Sequence, residues 1–280
     1  MMMRNLLLTL ALAASLPAQS FITMSDPQFG MFTKDVSFEH ETVNFDFAIA
    51  TANRLKPAFI VITGDLINKG GDAAQAAEYR RISSKLDPTI RLFSLPGNHD
   101  VGNEPTPESL AIYRERFGPD YYTFRVGDIA GIVVNSSLLK APAKVPAEAA
   151  KMENWLKTEL AKARTDGVKN IIVFQHIPPF VKEPNEPEVY DNLPLETRAR
   201  YLKILHEFGV RQIFAGHLHT TSEARDGDLS VSINGPVGMP LKGGKSGLRI
   251  VSVTSAGITH RYYDFGDVPE SLVAAPAAAK

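Results

Sequence analysis

The chain has 280 residues, of which 44% are hydrophobic and 22% charged, a composition typical of a globular protein with a substantial core. A net charge of −1 and the lack of a Lys/Arg block exclude the extended basic surface of a nucleic-acid-binding protein. The chain contains no cysteine, which excludes disulfide bonds and a lipid-modified cysteine anchor. No glycine- or proline-rich linker separates two halves, so we predict one large domain over residues 21–268.

The first 20 residues have the three parts of a secretory signal peptide. Arg4 gives a positive start, residues 6–16 form an uncharged apolar run, and small residues precede a cleavage point after Ala18 or Ser20. The alternative is a core strand, which needs flanking turn residues. The run is shorter than the ~20 residues of a membrane-spanning helix. We therefore expect removal of residues 1–20 and an exported protein, periplasmic or secreted, without a membrane span.

Five apolar, strand-like runs follow, and each stops at side chains able to bind a metal. The runs are residues 21–25, 59–62, 90–95, 171–174 and 212–215. Helical patterns between the first three predict crossovers and parallel strands, whose carboxyl ends meet at one edge of a sheet. The side chains that end the runs are Asp26, Gln28, Asp65, Asn98, His176, His217 and His219.

These seven potential ligands are oxygen and imidazole donors without a thiolate, a set that suits Mn, Fe, Zn or Mg. For Asp65 alone, a turn or helix cap would be the ordinary interpretation. Seven donors exceed what one ion needs, so we predict two adjacent divalent ions, with Asp65 bridging them through its two carboxylate oxygens.

The remaining elements follow from periodicity and turn residues. Predicted helices cover residues 43–55, 73–86, 106–117, 147–163 and 196–208, and predicted strands cover 229–233, 247–253 and 259–263. A hairpin over 121–134 turns at Gly127-Asp128. Val43, Phe47 and Ala50, with Leu55 at the end of the helix, form the expected apolar face of the first helix, and Trp155 is expected to be a core anchor.

Two segments are predicted to be irregular. Residues 178–194 contain five prolines and Tyr190, which is too irregular for core, and they directly follow His176. We expect them to form a loop beside the site that sets substrate choice. Residues 269–280 are expected to be a disordered tail.

The order of the polar blocks resembles that of a known superfamily. Asp-x-Gln, Gly-Asp, Gly-Asn-His-Asp, Gln-His and Gly-His-x-His look like the five blocks of the calcineurin-like metallophosphoesterases, over roughly residues 21–267. Longer segments are similar to one branch, the serine/threonine phosphatases with a calcineurin-like phosphoesterase domain. These segments are Asp26-Pro-Gln-Phe-Gly30, Gly97-Asn-His-Asp-Val-Gly-Asn103, Phe174-Gln-His-Ile-Pro178, Gly247-Leu-Arg249 and His260-Arg-Tyr-Tyr263.

The resemblance implies a fold and a division of the ligands. The fold is an α/β four-layer αββα sandwich of two mixed β-sheets flanked by helices. One metal would be held by Asp26, Gln28, Asp65 and His219, and the other by Asp65, Asn98, His176 and His217. His99 would face the phosphoryl group and donate a proton to the leaving oxygen, which typically contributes ~10²–10⁴-fold.

Two positions depart from the wider superfamily. Gln28 stands where histidine is usual, which replaces an imidazole by a neutral amide oxygen and should favour Mn or Mg or leave that position partly filled. Asn68 stands where calcineurin-type phosphatases have an aspartate that orients the catalytic histidine. Asn68 can hydrogen-bond His99 but cannot stabilise its cation by charge.

The predicted function is metal-dependent hydrolysis of phosphoesters, most simply by a phosphomonoesterase in which His99 and Asp65 are catalytic. Its substrate would be a phosphorylated small molecule or a phosphoprotein. The alternatives are a phosphodiesterase acting on cyclic nucleotides or other phosphodiesters, and a non-catalytic binding module that retains the fold. The sequence makes no prediction of oligomeric state.

Overall fold

A computed structural model describes residues 19–241 and 243–272. The described residues do not include 1–18 of the predicted signal peptide or 273–280 of the predicted tail. Residues 269–272, predicted to belong to the disordered tail, are packed against the domain. Arg54 donates to the carbonyl oxygens of Pro269 and Glu270, and Leu272 packs against the core.

The first sheet has five strands. In chain order these are β1 (Gln19–Met24), β2 (Phe59–Ile62), β3 (Arg91–Ser94), β10 (Gly247–Thr254) and β11 (Gly257–Asp264). Their order in the sheet is β11-β10-β1-β2-β3. The β1–β2 and β2–β3 pairs are parallel, whereas β10 pairs antiparallel with both β1 and β11.

The second sheet has six strands. These are β4 (Tyr122–Val126), β5 (Ile129–Val133), β6 (Asn170–Phe174), β7 (Gln212–Ala215), β8 (Ser222–Asp226) and β9 (Leu229–Ile233), in the order β4-β5-β6-β7-β9-β8. The β5–β6, β6–β7 and β7–β9 pairs are parallel, and the two edge pairs are antiparallel. Both sheets are therefore mixed, as predicted.

An aromatic layer joins the two sheets. Phe21 and Phe59 of the first sheet stack with ring centroids 4.5 Å apart, and Phe174 and Phe214 of the second each meet Phe21 at 5.9 Å. Successive side chains of a strand point to opposite faces of the sheet. The neighbours of these phenylalanines, such as Ile22, Ile60 and Ile213, therefore belong to a separate core cluster on the helix-covered faces. The four-layer αββα sandwich is confirmed.

The helices are α1 (Glu39–Leu55), α2 (Ala73–Ser83), α3 (Asn98–Val101), α4 (Pro107–Phe117), α5 (Ser136–Lys140), α6 (Pro146–Thr165) and α7 (Leu195–Glu207). The start predicted for α4 is correct, because the Thr106 hydroxyl accepts from the Ser109 amide and Pro107 is the first helical residue. The sequence analysis did not identify the helix α5, which is shorter than two turns, or the edge strand β8, in which only Ala224 is buried.

The apolar face predicted for α1 is wrong. Val43 is 67% exposed and Phe47 44% exposed, while Phe45 and Ile49 face the core. Of the residues predicted for this face, only Leu55 is buried. Both sets satisfy helical spacing, and the larger continuous face, which also includes Ala48 and Ala52, is the one that packs.

The segment predicted to be too irregular for core contributes to it. Residues 178–194 form no helix or strand, yet Phe180 and Leu193 are fully buried in the core cluster. Trp155 is partly buried and packs on Tyr121, with ring centroids 4.8 Å apart. Within residues 19–241 and 243–272, no helix combines the length and the apolar character that crossing a membrane requires.

Candidate metal centre

The predicted ligands follow strand ends in both sheets. Asp26 and Gln28 follow β1, Asp65 follows β2, and Asn98 begins α3 after β3. In the other sheet His176 follows β6, while His217 and His219 follow β7. The strands involved run parallel within each sheet, so their carboxyl ends meet at one edge of the sandwich.

One group of ligands, here called the first group, contains Asp26, Gln28, Asp65 and His219. Donor atoms of Asp26, Asp65 and His219 all lie within 4.8 Å of one another. His219 Nε2 is 3.5 Å from Asp26 Oδ1. Both aspartates and His219 are buried, at 0 to 3% exposed.

The second group contains Asp65, Asn98, His176 and His217. Donor atoms of Asp65, His176 and His217 also lie within 4.8 Å of one another. His176 Nε2 is 3.2 Å from Asp65 Oδ2 and 3.1 Å from Asn98 Oδ1. Asp65 therefore belongs to both groups, which places its carboxylate between two possible metal positions.

His176, His217 and His219 each form a hydrogen bond from one ring nitrogen to a main-chain carbonyl oxygen. His176 Nδ1 is 2.8 Å from Thr63 O, His219 Nδ1 is 2.6 Å from Met239 O, and His217 Nε2 is 3.3 Å from Tyr190 O. A carbonyl oxygen only accepts, so these nitrogens carry the proton. The other nitrogen of each ring is left with a lone pair for a metal.

Two buried oxygens in the first group fit a cation. Asp26 Oδ1 and Gln28 Oε1 have no hydrogen-bond donor. Buried polar atoms without a partner are costly, and a divalent ion would satisfy both. Gln28 Nε2 donates to Asn68 Oδ1 at 3.0 Å, which fixes the amide so that its oxygen is the free atom. The donors present suit Mn, Mg, Fe or Zn.

Five predicted ligands have left-handed backbone. The φ angles are 50° for Asp26, 40° for Gln28, 50° for Asp65, 77° for His217 and 52° for His219. Eight of the described non-glycine residues have positive φ, and five of these eight are predicted ligands. Such conformations cost on the order of 1–3 kcal/mol each and cluster at functional sites. Here they belong to the turns that follow strand ends.

His99 lies beside the second group. Its amide donates to Asp65 Oδ1 at 2.8 Å, and its Nδ1 is 2.9 Å from the main-chain oxygen of Asn68. The predicted contact between Asn68 and His99 therefore exists through the main chain. The Asn68 side chain instead accepts from Gln28 and donates to Asp35 at 2.8 Å. A carboxylate at residue 68 is thus not required to hold the His99 tautomer.

Asp100 is the last residue of the Gly-Asn-His-Asp block, and the structure shows its role. Its carboxylate accepts from the amides of Gly97 at 2.8 Å and of Leu66 and Ile67, both at 3.1 Å. These three bonds fasten the turn that carries Asp65 to the turn that carries His99. The signal in the sequence was an acidic residue at the third position of the short helix α3.

Charge is distributed unevenly within the cluster. Burial disfavours an imidazolium at residue 176, but the Asp65 and Asp26 carboxylates raise the pKa of His176 to about 9. Burial together with the nearby His176 lowers the pKa of His217 to about 3. Burial also opposes ionisation of Asp65, yet the facing imidazoles lower the pKa of its carboxyl. In the metal-free protein the two carboxylates therefore favour a second proton on His176, at Nε2, and a bound cation would take the place of that proton.

Tyr190 is a further residue of the site that sequence analysis did not assign. Its hydroxyl accepts from Asn98 Nδ2 at 2.9 Å, and its ring lies 4.8 Å from that of His217. A cavity of about 280 Å³ adjoins His99 and is also lined by Glu104 and Ile112. A wider cleft of about 780 Å³ lies among β8, β9, β10 and β11, and none of the predicted metal ligands lines either cavity.

Residues 21–221 match the family model described as calcineurin-like phosphoesterase. The chain is also 34% identical over 265 residues to the serine/threonine-protein phosphatase CPPED1 of Bos taurus, covering 89% of this chain and 85% of that protein. The chain belongs to the calcineurin-like phosphoesterase family. It is a hydrolase of phosphoric esters with a site for two divalent metal ions.

Two further comparisons bear on function and fold. A probable cyclic nucleotide phosphodiesterase of Rhodococcus erythropolis is 27% identical over 186 residues, which cover 65% of this chain and 58% of that protein. The structure of a dimetal phosphatase from Danio rerio aligns with a TM-score of 0.61 and 13% identity, covering 88% of this chain and 99% of that one. At that identity the structural likeness supports the fold alone.

Proposed function

We propose that this calcineurin-like phosphoesterase is an exported phosphomonoesterase in which His99 is the general acid. The observation that carries the proposal is the position of His99, hydrogen-bonded through its amide to the shared ligand Asp65 and open to a cavity. The relatedness to a serine/threonine-protein phosphatase supports hydrolysis of a monoester.

Two bound divalent ions would supply positive charge for the phosphoryl oxygens and lower the pKa of the attacking water. Asp26, Gln28, Asp65 and His219 would hold one ion, and Asp65, Asn98, His176 and His217 the other. The oxygen of water forms a bond to phosphorus as the bond between phosphorus and the leaving oxygen breaks.

His99 would deliver the proton that the leaving oxygen needs. Its Nδ1 donates to the Asn68 carbonyl, which leaves Nε2 as the only ring atom able to transfer a proton. Nε2 carries a proton only in the imidazolium form. His99 must therefore be doubly protonated before each turnover, and the adjoining cavity of about 280 Å³ would receive the organic part of the ester.

The assay is hydrolysis of p-nitrophenyl phosphate with Mn²⁺ added. We expect His99→Ala to lower kcat by roughly 10²–10⁴-fold and Asp65→Asn to abolish most activity. The matched control is His206→Ala, because His206 is exposed on α7 and pairs with Asp226 at 2.6 Å. Equal rates for wild type, His99→Ala and Asp65→Asn contradict the proposal.

Phosphodiester hydrolysis is the second candidate, favoured by the similarity to a probable cyclic nucleotide phosphodiesterase. Bis-p-nitrophenyl phosphate assayed beside the monoester separates the two activities. A kcat/KM for the diester that exceeds the monoester value would favour the second candidate.

Export is supported by the signal-like pattern of residues 1–20. Strand β1 begins at Gln19, and Gln19 and Ser20 pair with Val253 and Ser252 of β10. Cleavage after Ala18 would therefore leave β1 whole, whereas cleavage after Ser20 would remove two paired residues. N-terminal sequencing of the protein recovered from the periplasm or the medium tests this, and a mature chain that retains Met1 contradicts it.

A further inference from the structure

Two buried arginines have no part in the chemistry above. Arg198 of α7 is 1% exposed and Arg249 of β10 is 2% exposed. Burying a guanidinium is costly unless its donors are satisfied, so the acceptors that each arginine binds indicate what it is there to hold. Arg249 also belongs to a segment that sequence analysis singled out and that the proposed reaction does not use.

Arg249 holds the end of β9. Its Nε donates to Asn234 Oδ1 at 2.8 Å and its Nη2 to Ile233 O at 3.0 Å. Its Nη1 binds Glu223 Oε1 at 2.6 Å, which balances the charge. Asn234 in turn donates through Nδ2 to Thr23 Oγ1 of β1 at 3.1 Å. Arg249 therefore fixes the point at which the chain leaves β9.

The segment that leaves β9, residues 235–239, contacts the first ligand group, and we call it the first loop. Gly238 N donates to Asp26 O at 2.9 Å, and Met239 O accepts from His219 Nδ1 at 2.6 Å. A Cβ at Gly238 would lie 2.6 Å from Pro27 O, so the loop packs directly against the turn after β1. The first loop thus sets the position of Asp26 and the orientation of His219.

Arg198 holds a different segment. Its Nε and Nη2 donate to Leu193 O at 3.2 and 2.7 Å, and its Nη1 donates to Pro184 O at 3.0 Å and Glu186 O at 2.7 Å. One guanidinium therefore ties together both ends of residues 184–193, which we call the second loop. This explains how a segment without helix or strand keeps a defined conformation beside the site.

The second loop contacts the second ligand group through Tyr190. The hydroxyl of Tyr190 accepts from Asn98 Nδ2 at 2.9 Å, and its main-chain oxygen faces His217 Nε2 at 3.3 Å. With the amide nitrogen of Asn98 occupied, its Oδ1 is the atom turned toward His176 Nε2, at 3.1 Å. The second loop thus fixes which atoms of Asn98 and His217 are available.

We propose that Arg249 and Arg198 are positioning residues, each responsible for one of the two metal positions. Arg249 acts through the first loop on Asp26 and His219, and Arg198 acts through the second loop on Asn98 and His217. The inference rests on the ligand assignment of the proposed function. Groups that orient metal ligands commonly change metal affinity by about 10–100-fold when they are altered.

The experiment is titration of each metal-free, full-length variant with Mn²⁺ by calorimetry and by electron paramagnetic resonance. The spectra distinguish an isolated Mn²⁺ from a coupled pair. Lysine retains the charge but cannot reproduce the planar fork of donors, so Arg249→Lys and Arg198→Lys are the test variants. Gln28→Ala and Asn98→Ala provide the reference profiles for losing the first and second positions.

We expect Arg249→Lys to weaken one of the two Mn²⁺ affinities by roughly 10–100-fold with the Gln28→Ala profile. Arg198→Lys should weaken one affinity with the Asn98→Ala profile. Both should show isolated Mn²⁺ at concentrations that give a coupled pair in the wild type. The controls are Arg200→Lys on α7, where Arg200 is exposed and pairs with Glu153, and Arg261→Lys on β11. Both controls should titrate like the wild type.

Lysine variants that titrate like the wild type, or that weaken both positions equally, overturn the inference, as does the reverse pairing of variants and profiles. If a lysine variant does not fold, Asn234→Ala and Tyr190→Phe interrupt the same two connections further along and are judged by the same criteria. A wild type that binds no Mn²⁺ contradicts the metal centre itself. A wild type that binds two ions and hydrolyses phosphoesters, with unaffected variants, contradicts this inference alone.

Discussion

Replacing Gly97 by alanine tests the position of Asp65 without altering a ligand. Gly97 has φ of −103°, which alanine also adopts, so the substitution adds only a methyl group. That methyl would lie 2.7 Å from Asp65 Cγ and closer still to Oδ1 and to the amide nitrogen of Asp65. Ordinary contact begins at 3.4 Å, so Asp65 Cγ must move by at least about 0.7 Å and Oδ1 by more.

A shift of this size exceeds the ~0.2 Å tolerance of metal–ligand distances. The main chain of Asp65 is also in the way, so rotation of the side chain alone does not relieve the overlap. We expect Gly97→Ala to lose at least one of two Mn²⁺ ions and to lower kcat/KM by about 10²-fold. Overpacking should lower the free energy of unfolding by roughly 2 kcal/mol.

The measurements are Mn²⁺ content after dialysis, hydrolysis of p-nitrophenyl phosphate and urea unfolding. The control is Gly71→Ala, because a Cβ at Gly71 meets no atom within 4 Å. Gly71→Ala should match the wild type in Mn²⁺ content and in urea unfolding. Because Gly71 lines the cavity beside His99, turnover is not part of this control. A Gly97→Ala protein with wild-type metal content and turnover would show that Asp65 does not occupy the position described.

Three other outcomes are expected. Asn68→Asp should leave kcat nearly unchanged, because His99 is held by the main chain, but it should lower stability by about 1 kcal/mol by placing a carboxylate against Asp35. Removing metal with a chelator should lower the melting temperature, since Mn²⁺ at 100 times its Kd stabilises by about 2.7 kcal/mol per site. Burial and the Arg249 cation lower the pKa of His260 to about 4, so the stability due to neutral His260 is complete above pH 6.5 and is lost as the pH falls toward 4.

The His260 effect amounts to about 2 kcal/mol at pH 5 for a group whose pKa is about 4 when folded and 6.5 when unfolded. His260→Gln should remove that part of the acid destabilisation, measured as urea unfolding at pH 7 and pH 5. An identical pH dependence in both proteins would refute the assignment. A 100-fold loss of kcat in Asn68→Asp would contradict the first of these predictions. Equal melting temperatures for the chelator-treated and the Mn²⁺-loaded protein would contradict the second.

The strand ends were predictable because their physical signals are local. Buried parallel strands are short apolar runs, and a polar residue directly after such a run has little choice but to lie at the sheet edge. This placed Asp65 and His176 together although 110 positions separate them in the chain. The hairpin of β4 and β5 was equally evident from its Gly127-Asp128 turn.

What escaped prediction depends on contacts between distant segments. The face of α1 was ambiguous because both Phe45 and Phe47 lie on apolar stripes, and only the rest of the fold selects one. His99 is held by the main-chain oxygen of Asn68, a contact that any residue at position 68 could make and that the sequence therefore does not reveal. The roles of Arg198 and Arg249 likewise depend on carbonyl oxygens whose positions exist only after folding.

The left-handed turns at Asp26, Gln28, Asp65, His217 and His219 have a consequence for the metal-free protein. The surrounding packing holds these unfavourable dihedral angles, and two cations at the proposed positions would add to that constraint. Without cations, the two sheets keep their aromatic layer. The turns that carry the predicted ligands keep their strained dihedral angles but lose the contacts that a metal would give. Amide hydrogens in these turns should then exchange with solvent before those of the strands. Acid or chelation would therefore unfold the ligand-bearing turns before the strands of the two sheets.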